Sequence, residues 1–414
     1  VLLTNMSASE AQRGSSTLES SLPQNGHTFG PGRTLRPSAK VLPEHARGHN
    51  RALVLQTLYH QGAMSRADLS RETGLTRVTI SDLVAELMVD ALVVEKGMRE
   101  ITRPGKPAIL VDIDREAHHI IGLDLSGAEL FIGAVMTLDG RIVERRSLAR
   151  PHGERAGDRP AENPDVTANI AAVVELAQQL VAATDTPVLG VGVGTPGIVN
   201  DAGTVLAAPN FGWVDIDLEG ILREALQLPV IVANDANAAV LAEYTFGGAG
   251  EDVLLVKVGR GVGSGLLAGG QPMRGSHFAA GEIGHVIVGT DGGPLCACGN
   301  EGCLEAWLAV PALSARLAAA SDDAAREGVL RDAGARLGIA LAPVIGALDL
   351  SEVILSGPPE LLDGPLAAQA VETLRTRTLA QIHDGVRVRM TAQGQDIVLR
   401  GAAVMVLSGQ LGVS

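Results

Sequence analysis

The chain has 414 residues, of which 46% are apolar, and this is enough sequence to build two or three domains with buried cores. A net charge of −14 argues against a molecule that binds polyanions over its whole surface, so any contact with nucleic acid must be confined to one module. The sequence shows neither a long uncharged apolar run nor a secretory signal pattern, so we expect a cytoplasmic protein without a membrane span.

The first segment in chain order is rich in Ser, Gly, Pro and Arg. It has no apolar periodicity, so we predict that residues 1–45 form a disordered tail. Helical spacing starts near Asn50, and from there to residue 115 the pattern predicts three short helices followed by strands. Gly62 and Gly74 separate the three helices.

The stretch SRADLSRETGLTRVTISDLVAELMV, residues 65–89, is typical of a helix-turn-helix. Ser65 and Thr76 are suited to cap the two helices, and Gly74 allows the sharp turn between them. In the second helix four apolar residues recur at helical spacing and should face the core: Ile80, Leu83, Val84 and Leu87. The leading end of such a recognition helix enters the major groove of DNA.

Candidate DNA contacts follow from this placement. The leading end of the second helix should direct four side chains outward: Arg77, Val78, Thr79 and Ser81. The stretch LVVEKGMREI is typical of a β-hairpin wing, and the stiff TRPGKP segment after it offers Arg103 and Lys106 to phosphates or to a minor groove. We therefore predict a winged helix-turn-helix over residues 46–115, with a helical bundle used for dimerisation as the alternative.

From Ile120 onward, apolar β runs alternate with helical segments rich in Ala and Leu. The runs IIGLDL, LFIGAVM, VLGVGVG, VLLVKVG and VILSG are typical of buried strands. This alternation predicts an α/β domain of two layered lobes over residues 116–414.

The chain has three cysteines, and all of them lie within a few positions of one another, at Cys296, Cys298 and Cys303. Their C-x-C-x4-C spacing, with His285 upstream, can form a tetrahedral site for zinc. All four ligand positions would be filled by protein, so the zinc would be structural. Buried apolar cysteines and a redox pair are the alternatives.

Five motifs together resemble the ROK family of repressors, open reading frames and sugar kinases. They are VGVGTPGIV (191–199), NDANAAVLAEYTFG (234–247), VGRGVGSGLLAGG (258–270), AGEIGHVIV (280–288) and CACGNEGCLE (296–305). The resemblance covers nearly all of residues 46–414, including the winged helix that distinguishes the family's repressors from its kinases. It implies a two-lobed, actin-like (ribonuclease-H-like) fold, a sugar in the cleft, a structural zinc, and dimers or tetramers.

The same resemblance implies a set of sugar-binding residues: Asn210, Asn234, Asp235, Glu282, His285 and Glu305. Sugar hydroxyls need several such polar groups converging in one cleft. His285 would both hold the zinc and face the sugar. Asp235 matches the base that deprotonates the attacked hydroxyl in family kinases, although a carboxylate there can serve equally as a passive hydrogen-bond acceptor.

Three segments correspond to the nucleotide-binding elements of the family kinases, and two of them depart from the family pattern. LDLSGAEL (123–130) lacks the double glycine and threonine of the first phosphate loop. LSGPPELL (355–362) has prolines in place of glycines, and proline has no amide N–H to donate to a phosphate. GRGVGSG (259–265) keeps its glycines but carries Arg260. We therefore expect that the protein does not bind ATP.

The sequence thus predicts a DNA-binding transcriptional regulator of carbohydrate metabolism rather than an enzyme. A homodimer or homotetramer would bind operator DNA, and a monosaccharide or sugar phosphate would act as the effector. The alternative is an ATP-dependent sugar kinase that keeps a DNA-binding arm and uses Asp235 as its base. In a third hypothesis, the sugar domain serves only as a scaffold for oligomerisation.

Overall fold

The computed structural model describes residues 43–98, 108–151, 166–289 and 292–413. Most of the predicted disordered tail lies outside these ranges, as do the candidate DNA contacts Arg103 and Lys106. Among the described helices, none is long and apolar enough to cross a lipid bilayer.

The N-terminal module consists of three helices and a three-stranded sheet. Its elements are α1 (Pro43–Gln61), β1 (Met64–Ser65), α2 (Arg66–Thr73), α3 (Arg77–Val89), β2 (Val93–Met98) and β3 (Ile109–Ile113). Strand β3 pairs antiparallel with both β1 and β2. Helices α2 and α3 form the predicted helix-turn-helix, and β2 and β3 are the strands of a wing.

Local signals set the ends of α2 and α3 as the sequence predicts. The Ser65 hydroxyl accepts a hydrogen bond from the Asp68 backbone N–H at 3.1 Å, and the Asp68 carboxylate reaches back to Ser65, which completes a capping box. Thr76 caps α3 by accepting from the Thr79 N–H at 3.2 Å. Between them Gly74 has φ +71°, a left-handed conformation that favours glycine.

Helix α1 begins at Pro43, well before Asn50, so the prediction of disorder is wrong for residues 43–45. Proline suits the first turn of a helix because its missing N–H has no helical partner there. Residues 47–49 are exposed, and Arg47 forms an ion pair of 2.6 Å with Glu86 of α3. An exposed helical turn of this kind has no apolar period, so periodicity could not detect it.

The first lobe of the α/β domain is built on a five-stranded sheet. Its elements are β4 (His119–Asp124), β5 (Leu130–Thr137), β6 (Ile142–Ala149), α4 (Val166–Val181), β7 (Val188–Thr195), β8 (Ile198–Val199), β9 (Thr204–Ala208), β10 (Trp213–Asp217), α5 (Leu218–Leu226), β11 (Val230–Asn234) and α6 (Asp235–Phe246). The strand order in the main sheet is β11-β7-β4-β5-β6, and β8, β9 and β10 form a small separate sheet.

The second lobe is built on another five-stranded sheet. Its elements are β12 (Val253–Val258), β13 (Val262–Ala268), β14 (Gln271–Pro272), α7 (Leu304–Leu308), α8 (Val310–Ala318), α9 (Asp323–Leu348), β15 (Glu352–Ser356), α10 (Pro359–Leu362), α11 (Pro365–Arg377), α12 (Ala380–His383) and β16 (Arg387–Met390). The strand order is β14-β13-β12-β15-β16. A last helix, α13 (Ile397–Leu411), returns to the first lobe and packs on β4, β7 and α6.

The two lobes repeat one topology. In each sheet the first strand is central. On one side the next two strands continue as an antiparallel meander, and on the other side the last two strands lie parallel to the central strand. This duplicated arrangement is that of an actin-like, ribonuclease-H-like domain, so the fold predicted from the sequence is confirmed.

A single hydrophobic cluster runs through the N-terminal module and the first lobe. It joins residues of α1, such as Leu55 and Leu58, to residues of α13, such as Leu407 and Leu411. The Tyr59 hydroxyl adds a hydrogen bond of 2.9 Å to the Leu138 carbonyl in the first lobe. The winged helix-turn-helix therefore packs directly on the α/β domain and shares a core with it.

Candidate functional site

The leading end of α3 presents most of its predicted contact residues to solvent. Arg77 and Ser81 are exposed, and Val78 keeps 71% of its surface accessible. Thr79 differs, because it is half-buried and its hydroxyl lies 2.9 Å from that of Thr76 at the helix cap. Three of the four α3 side chains are thus free to meet a DNA groove. The apolar residues predicted to face the core are all buried: Ile80, Leu83, Val84 and Leu87.

The structure brings the predicted metal ligands together. One ligand atom from each of His285, Cys296, Cys298 and Cys303 lies within 4.8 Å of all the others. The Cys296 Sγ lies 3.7 Å from the His285 Nδ1, and the Cys298 Sγ lies 3.7 Å from the Cys303 Sγ. Zn–S bonds of about 2.3 Å in a tetrahedron place neighbouring ligands about 3.8 Å apart, so the spacing fits a tetrahedral cation.

The loop that carries the thiols folds back on itself. Two isolated β-bridges, Ile287 to Cys303 and Leu295 to Glu301, close the loop. Gly299 and Gly302 have φ +92° and +80°, which is the backbone freedom that the fold-back requires. In the described residues 285–289 and 292–303, the backbone of the loop therefore helps to hold the four ligand side chains together.

The thiols of the cluster differ in acidity. A hydrogen bond from the Asn300 backbone lowers the pKa of the exposed Cys298 to about 7. Burial raises the pKa of Cys303 to about 12. Since the thiolate is the metal-binding form of cysteine, Cys298 is the member that supplies it most readily near neutral pH.

Asn234 caps the helix that carries the candidate catalytic carboxylate. Its side-chain oxygen accepts hydrogen bonds from the Ala236 and Asn237 N–H groups at 2.9 and 3.1 Å. Its amide nitrogen donates to the Gly197 carbonyl at 2.9 Å. An asparagine amide has two N–H donors and two acceptor lone pairs, so these contacts use one of its donors and both lone pairs. The geometry makes Asn234 first of all a helix cap.

Asp235 is the first residue of α6 and is 9% exposed. Its Oδ2 accepts a hydrogen bond of 2.9 Å from the Lys257 ammonium, and its Oδ1 accepts from the Ala236 N–H at 3.0 Å. Asp124, at the end of β4, is also buried, and its Oδ1 accepts from the Ser126 N–H at 2.8 Å. Burial raises the pKa of Asp124, and the Lys257 charge opposes that rise.

Four of the predicted sugar residues act on one another electrostatically. Burial raises the pKa of Glu282, His285 acts against the rise, and the charges of Asp235 and Glu305 add to it. The Glu305 Oε2 also accepts from the Val262 N–H at 3.0 Å, which ties α7 to the glycine-rich turn before β13. Glu282 therefore lies near enough to the imidazole and to both other carboxylates to respond to their charges.

Asn210 lies in a short 3-10 turn between β9 and β10, and its side chain is outside the described part of the structure. The neighbouring aromatic residues fix the turn. The Phe211 and Trp213 rings are buried and stack with centroids 4.7 Å apart, and the Arg150 guanidinium lies 4.0 Å above the Phe211 ring.

The segments that correspond to nucleotide-binding elements offer few backbone donors. Leu125, in the first segment, is fully buried, and its N–H donates to the Gly194 carbonyl at 2.9 Å. Pro358 and Pro359 supply no N–H at the start of α10, where a helix of a nucleotide site would direct its amides at a phosphate. In the remaining segment the Gly259 N–H is bonded to the Gly261 carbonyl at 2.9 Å.

Lys257 is the polar residue of this region that our sequence reasoning missed. It stands in the apolar strand β12, between Val256 and Val258. A charged residue in a buried strand is rarely tolerated without a partner, so a lone lysine in VLLVKV was a usable signal. The signal did not reveal its partner, because Asp235 is on another lobe.

The fold and the site together define a two-lobed actin-like protein with an N-terminal winged helix-turn-helix and a cysteine-histidine cluster in its second lobe. The chain belongs to the ROK family, whose model matches residues 120–408.

Among individual relatives, the putative xylose repressor of Caldicellulosiruptor sp. (strain Rt8B.4) is 34% identical over 267 residues, which are 64% of this chain and 64% of that protein. This chain thus spans somewhat less than two thirds of that relative.

Solved structures show the same fold. A ROK family transcriptional regulator, homologous to the E. coli Mlc protein, matches with a TM-score of 0.75 and 24% identity, over 89% of this chain and 98% of that one. A ROK family glucokinase from Streptomyces griseus, in complex with glucose and AMPPNP, matches with a TM-score of 0.58 and 28% identity. That match covers 69% of this chain and 98% of the glucokinase.

Proposed function

We propose that this protein is a DNA-binding transcriptional regulator of carbohydrate metabolism that responds to a sugar. One observation carries the proposal: a winged helix with an exposed recognition helix shares its hydrophobic core with the lobe whose cleft holds Asp235. A domain that only stored or phosphorylated a sugar has no use for such a module. The similarity to a protein named as a putative xylose repressor supports the same assignment.

The proposal gives each part of the site a role. In this proposal, the α3 residues Arg77, Val78, Thr79 and Ser81 contact operator DNA, and so do Arg103 and Lys106 of the TRPGKP segment. The cleft residues Asn210, Asn234, Asp235, Glu282, His285 and Glu305 bind the hydroxyls of a monosaccharide or sugar phosphate. A homodimer or homotetramer presents two winged helices to the DNA. The protein acts in the cytoplasm.

We assign zinc to the cysteine-histidine cluster. The soft donor set and its tetrahedral spacing fit Zn2+, which would be held by His285, Cys296, Cys298 and Cys303. With four protein ligands the ion would have a structural role. It would stabilise the loop that leads into α7, and so the position of Glu305.

Sugar binding controls DNA binding only if the sugar prefers one conformation. The residues of the proposed site come from both lobes, so a bound sugar favours a closed arrangement of the lobes. The winged helix packs on the first lobe. Closure of the lobes therefore changes the distance and orientation between the winged helices of two subunits in an oligomer.

The test uses the full chain with its zinc site filled. Operator sequences are first selected from a randomised DNA pool, and their binding is then measured by fluorescence anisotropy with D-xylose, D-glucose, N-acetylglucosamine and their phosphates. We expect one sugar to change operator affinity at least about fivefold, a typical allosteric coupling. If the folded protein binds the operator but no sugar changes its affinity, the scaffold hypothesis is supported instead.

A sugar kinase is the second candidate function, and Asp235 is the observation that favours it. Its carboxylate lies at the start of α6 and is buried, and a buried carboxylate is suited to act as the general base for a sugar hydroxyl. The match to a glucokinase solved with glucose and AMPPNP agrees with this candidate. A coupled assay of ADP release with the same sugars decides: turnover that Asp235→Asn abolishes would establish kinase activity.

A further inference from the structure

Three charged side chains lie close together where β4 ends and α6 begins: Lys257, Asp235 and Asp124. The Lys257 Nζ lies 2.9 Å from the Asp235 Oδ2, and these side chains are 19% and 12% exposed. Asp124 is close enough for its charge to act on both Lys257 and Asp235. The lysine comes from β12 of the second lobe, whereas both carboxylates come from the first lobe. The ion pair therefore links a strand of the second sheet to the residue that follows β11 of the first sheet.

The lysine stays charged in this buried position. Burial by itself lowers the pKa of the Lys257 ammonium, but the charges of Asp235 and Asp124 outweigh burial and leave the pKa above its ordinary value. A buried ammonium without such partners would lose its proton. Lys257 is thus a positive charge beside the two carboxylates.

Two carboxylates that converge in a cleft repel each other and favour a hard divalent cation between them. Here a lysine fills that electrostatic role. An ammonium is a compact charge with three donors, and one donor is used on Asp235. The others can face the open side of the cleft, where a sugar hydroxyl is an acceptor.

We propose that Lys257 is the built-in cation of this cleft: it neutralises and orients the Asp235 carboxylate, so that the cleft binds a sugar without a divalent metal ion. The inference rests on the proposed sugar-binding function for its ligand. Lys257 is then a positioning residue, since it acts on the sugar mainly through Asp235.

The first test measures binding of Mn2+, a paramagnetic divalent cation, by electron paramagnetic resonance, with the cysteine cluster saturated with Zn2+. We compare the native protein with Lys257→Met, which removes the charge and keeps the length of the side chain. Lys257→Met should bind Mn2+ at least roughly tenfold more tightly than the native protein, because a positive charge is removed from a partly buried site. The charge-conserving Lys257→Arg should show no gain.

The double variant Lys257→Met/Asp235→Asn identifies the site. It should lose the gained Mn2+ binding, because one of the two carboxylates is now neutral. Circular dichroism and thermal unfolding confirm that each variant folds. Native protein that binds Mn2+ through Asp235, or a folded Lys257→Met variant that gains no binding, would overturn the proposal.

The second test separates this inference from the proposed function. Calorimetric titration with the sugar that the native protein binds should show roughly tenfold weaker binding by Lys257→Met, as expected when a charged hydrogen-bond partner is lost. Added Mn2+ should restore much of the affinity in Lys257→Met and change nothing in the native protein. If the native protein binds no sugar, the proposed function fails, while the Mn2+ experiment still decides the role of Lys257.

Discussion

Cys298 is the exposed member of the thiol cluster, and its side chain adds little to the hydrophobic core. Replacing Cys298 with Ser should therefore test the metal rather than the packing. We expect Cys298→Ser to lose its zinc and to be destabilised by about 2 kcal/mol or more, because a structural metal contributes directly to folding. Metal analysis by mass spectrometry and thermal unfolding measure the two effects.

Ala297→Ser is the matched control, because Ala297 is exposed in the same loop and is not a ligand. It should keep both the metal and the unfolding temperature. We also expect Cys298→Ser to lower sugar affinity, since the loop leads into α7 and Glu305. Sugar binding that survives without the metal would show that the zinc and sugar sites act independently.

Sequence reasoning identified the residues of the cluster because spacing alone brings cysteines in one loop close together. It could not identify the Lys257–Asp235 pair, since that contact depends on how two lobes meet. Asn234 shows another limit. A motif marks a residue as important, but only the geometry shows that its oxygen caps α6 and that its amide bonds to Gly197.

Helix α3 gives a prediction for DNA binding. Arg77 is exposed at the leading end of the helix, so Arg77→Ala should weaken operator binding roughly tenfold, as expected for the loss of one DNA contact. Arg103→Ala, in the TRPGKP segment, should reduce the salt dependence of binding by about one unit of slope. Fluorescence anisotropy at several salt concentrations measures both.

The control for this experiment is Arg331→Ala, which removes an exposed arginine of α9 in the second lobe. It should leave operator binding unchanged. The winged-helix assignment would be wrong if neither Arg77→Ala nor Arg103→Ala altered operator affinity or its salt dependence.

The crossing of α6 and α13 gives a second prediction. A Cβ placed at Gly401 of α13 would lie only 1.9 Å from the Ala238 carbonyl oxygen of α6. Gly401→Ala should force the helices apart and lower the free energy of unfolding by about 2–3 kcal/mol, the usual cost of overpacking. Thermal unfolding measures this loss of stability. A lower sugar affinity of the same variant would show that the start of α6, with Asp235, moves as well.

Gly328→Ala in α9 makes the same chemical change where nothing lies within 4 Å. It should raise stability by up to about 1 kcal/mol, because alanine has the higher helix propensity. A Gly401→Ala variant as stable as Gly328→Ala would mean that the two helices are not closely packed.

The elements themselves were largely predictable. Apolar runs located the buried strands, and cap residues located the ends of α2 and α3, because both depend on local sequence. The start of α1 was missed because its residues 47–49 are exposed and the segment before Asn50 carries no apolar period. The pairing order of the strands, repeated in both lobes, depends on contacts between distant segments, which sequence periodicity does not encode.

Tyr59 connects the winged helix to the first lobe, and its ionisation tests that junction. Burial raises the pKa of the Tyr59 phenol above its ordinary value, and the Asp139 charge adds to the effect. Below pH of about 10 the phenol is neutral in both the folded and the unfolded chain. Above that pH the unfolded chain loses the proton first, so stability should fall as pH rises.

Urea unfolding of the native protein and Tyr59→Phe, at pH 8 and at pH 11, measures this contribution. The difference in stability between the two proteins should shrink or reverse at pH 11, because phenylalanine does not ionise. The chain has two tyrosines, so absorbance at 295 nm in a Tyr244→Phe background follows Tyr59 alone. Ionisation of that tyrosine at its ordinary pKa would contradict a buried junction.

The sequence suggested a DNA-binding module followed by a sugar domain, and it gave no sign that α1 and α13 complete one core. Residues some 350 positions apart form that core. An isolated winged helix would expose the apolar face of α1, so experiments on DNA binding belong on the whole chain. This contact could not be predicted from periodicity, since each helix shows only that it has an apolar face.

The shared core also limits which operators the protein can recognise. One added base pair between the halves of an inverted repeat moves them apart by about 3.4 Å and rotates one half by roughly 35° about the DNA axis. DNA-binding domains on flexible linkers can adjust to such a change in half-site spacing. Here the winged helix packs against its own lobe through Leu58 and Leu407, so it cannot rotate relative to that lobe. A dimer of this chain should therefore require one fixed distance between the half-sites.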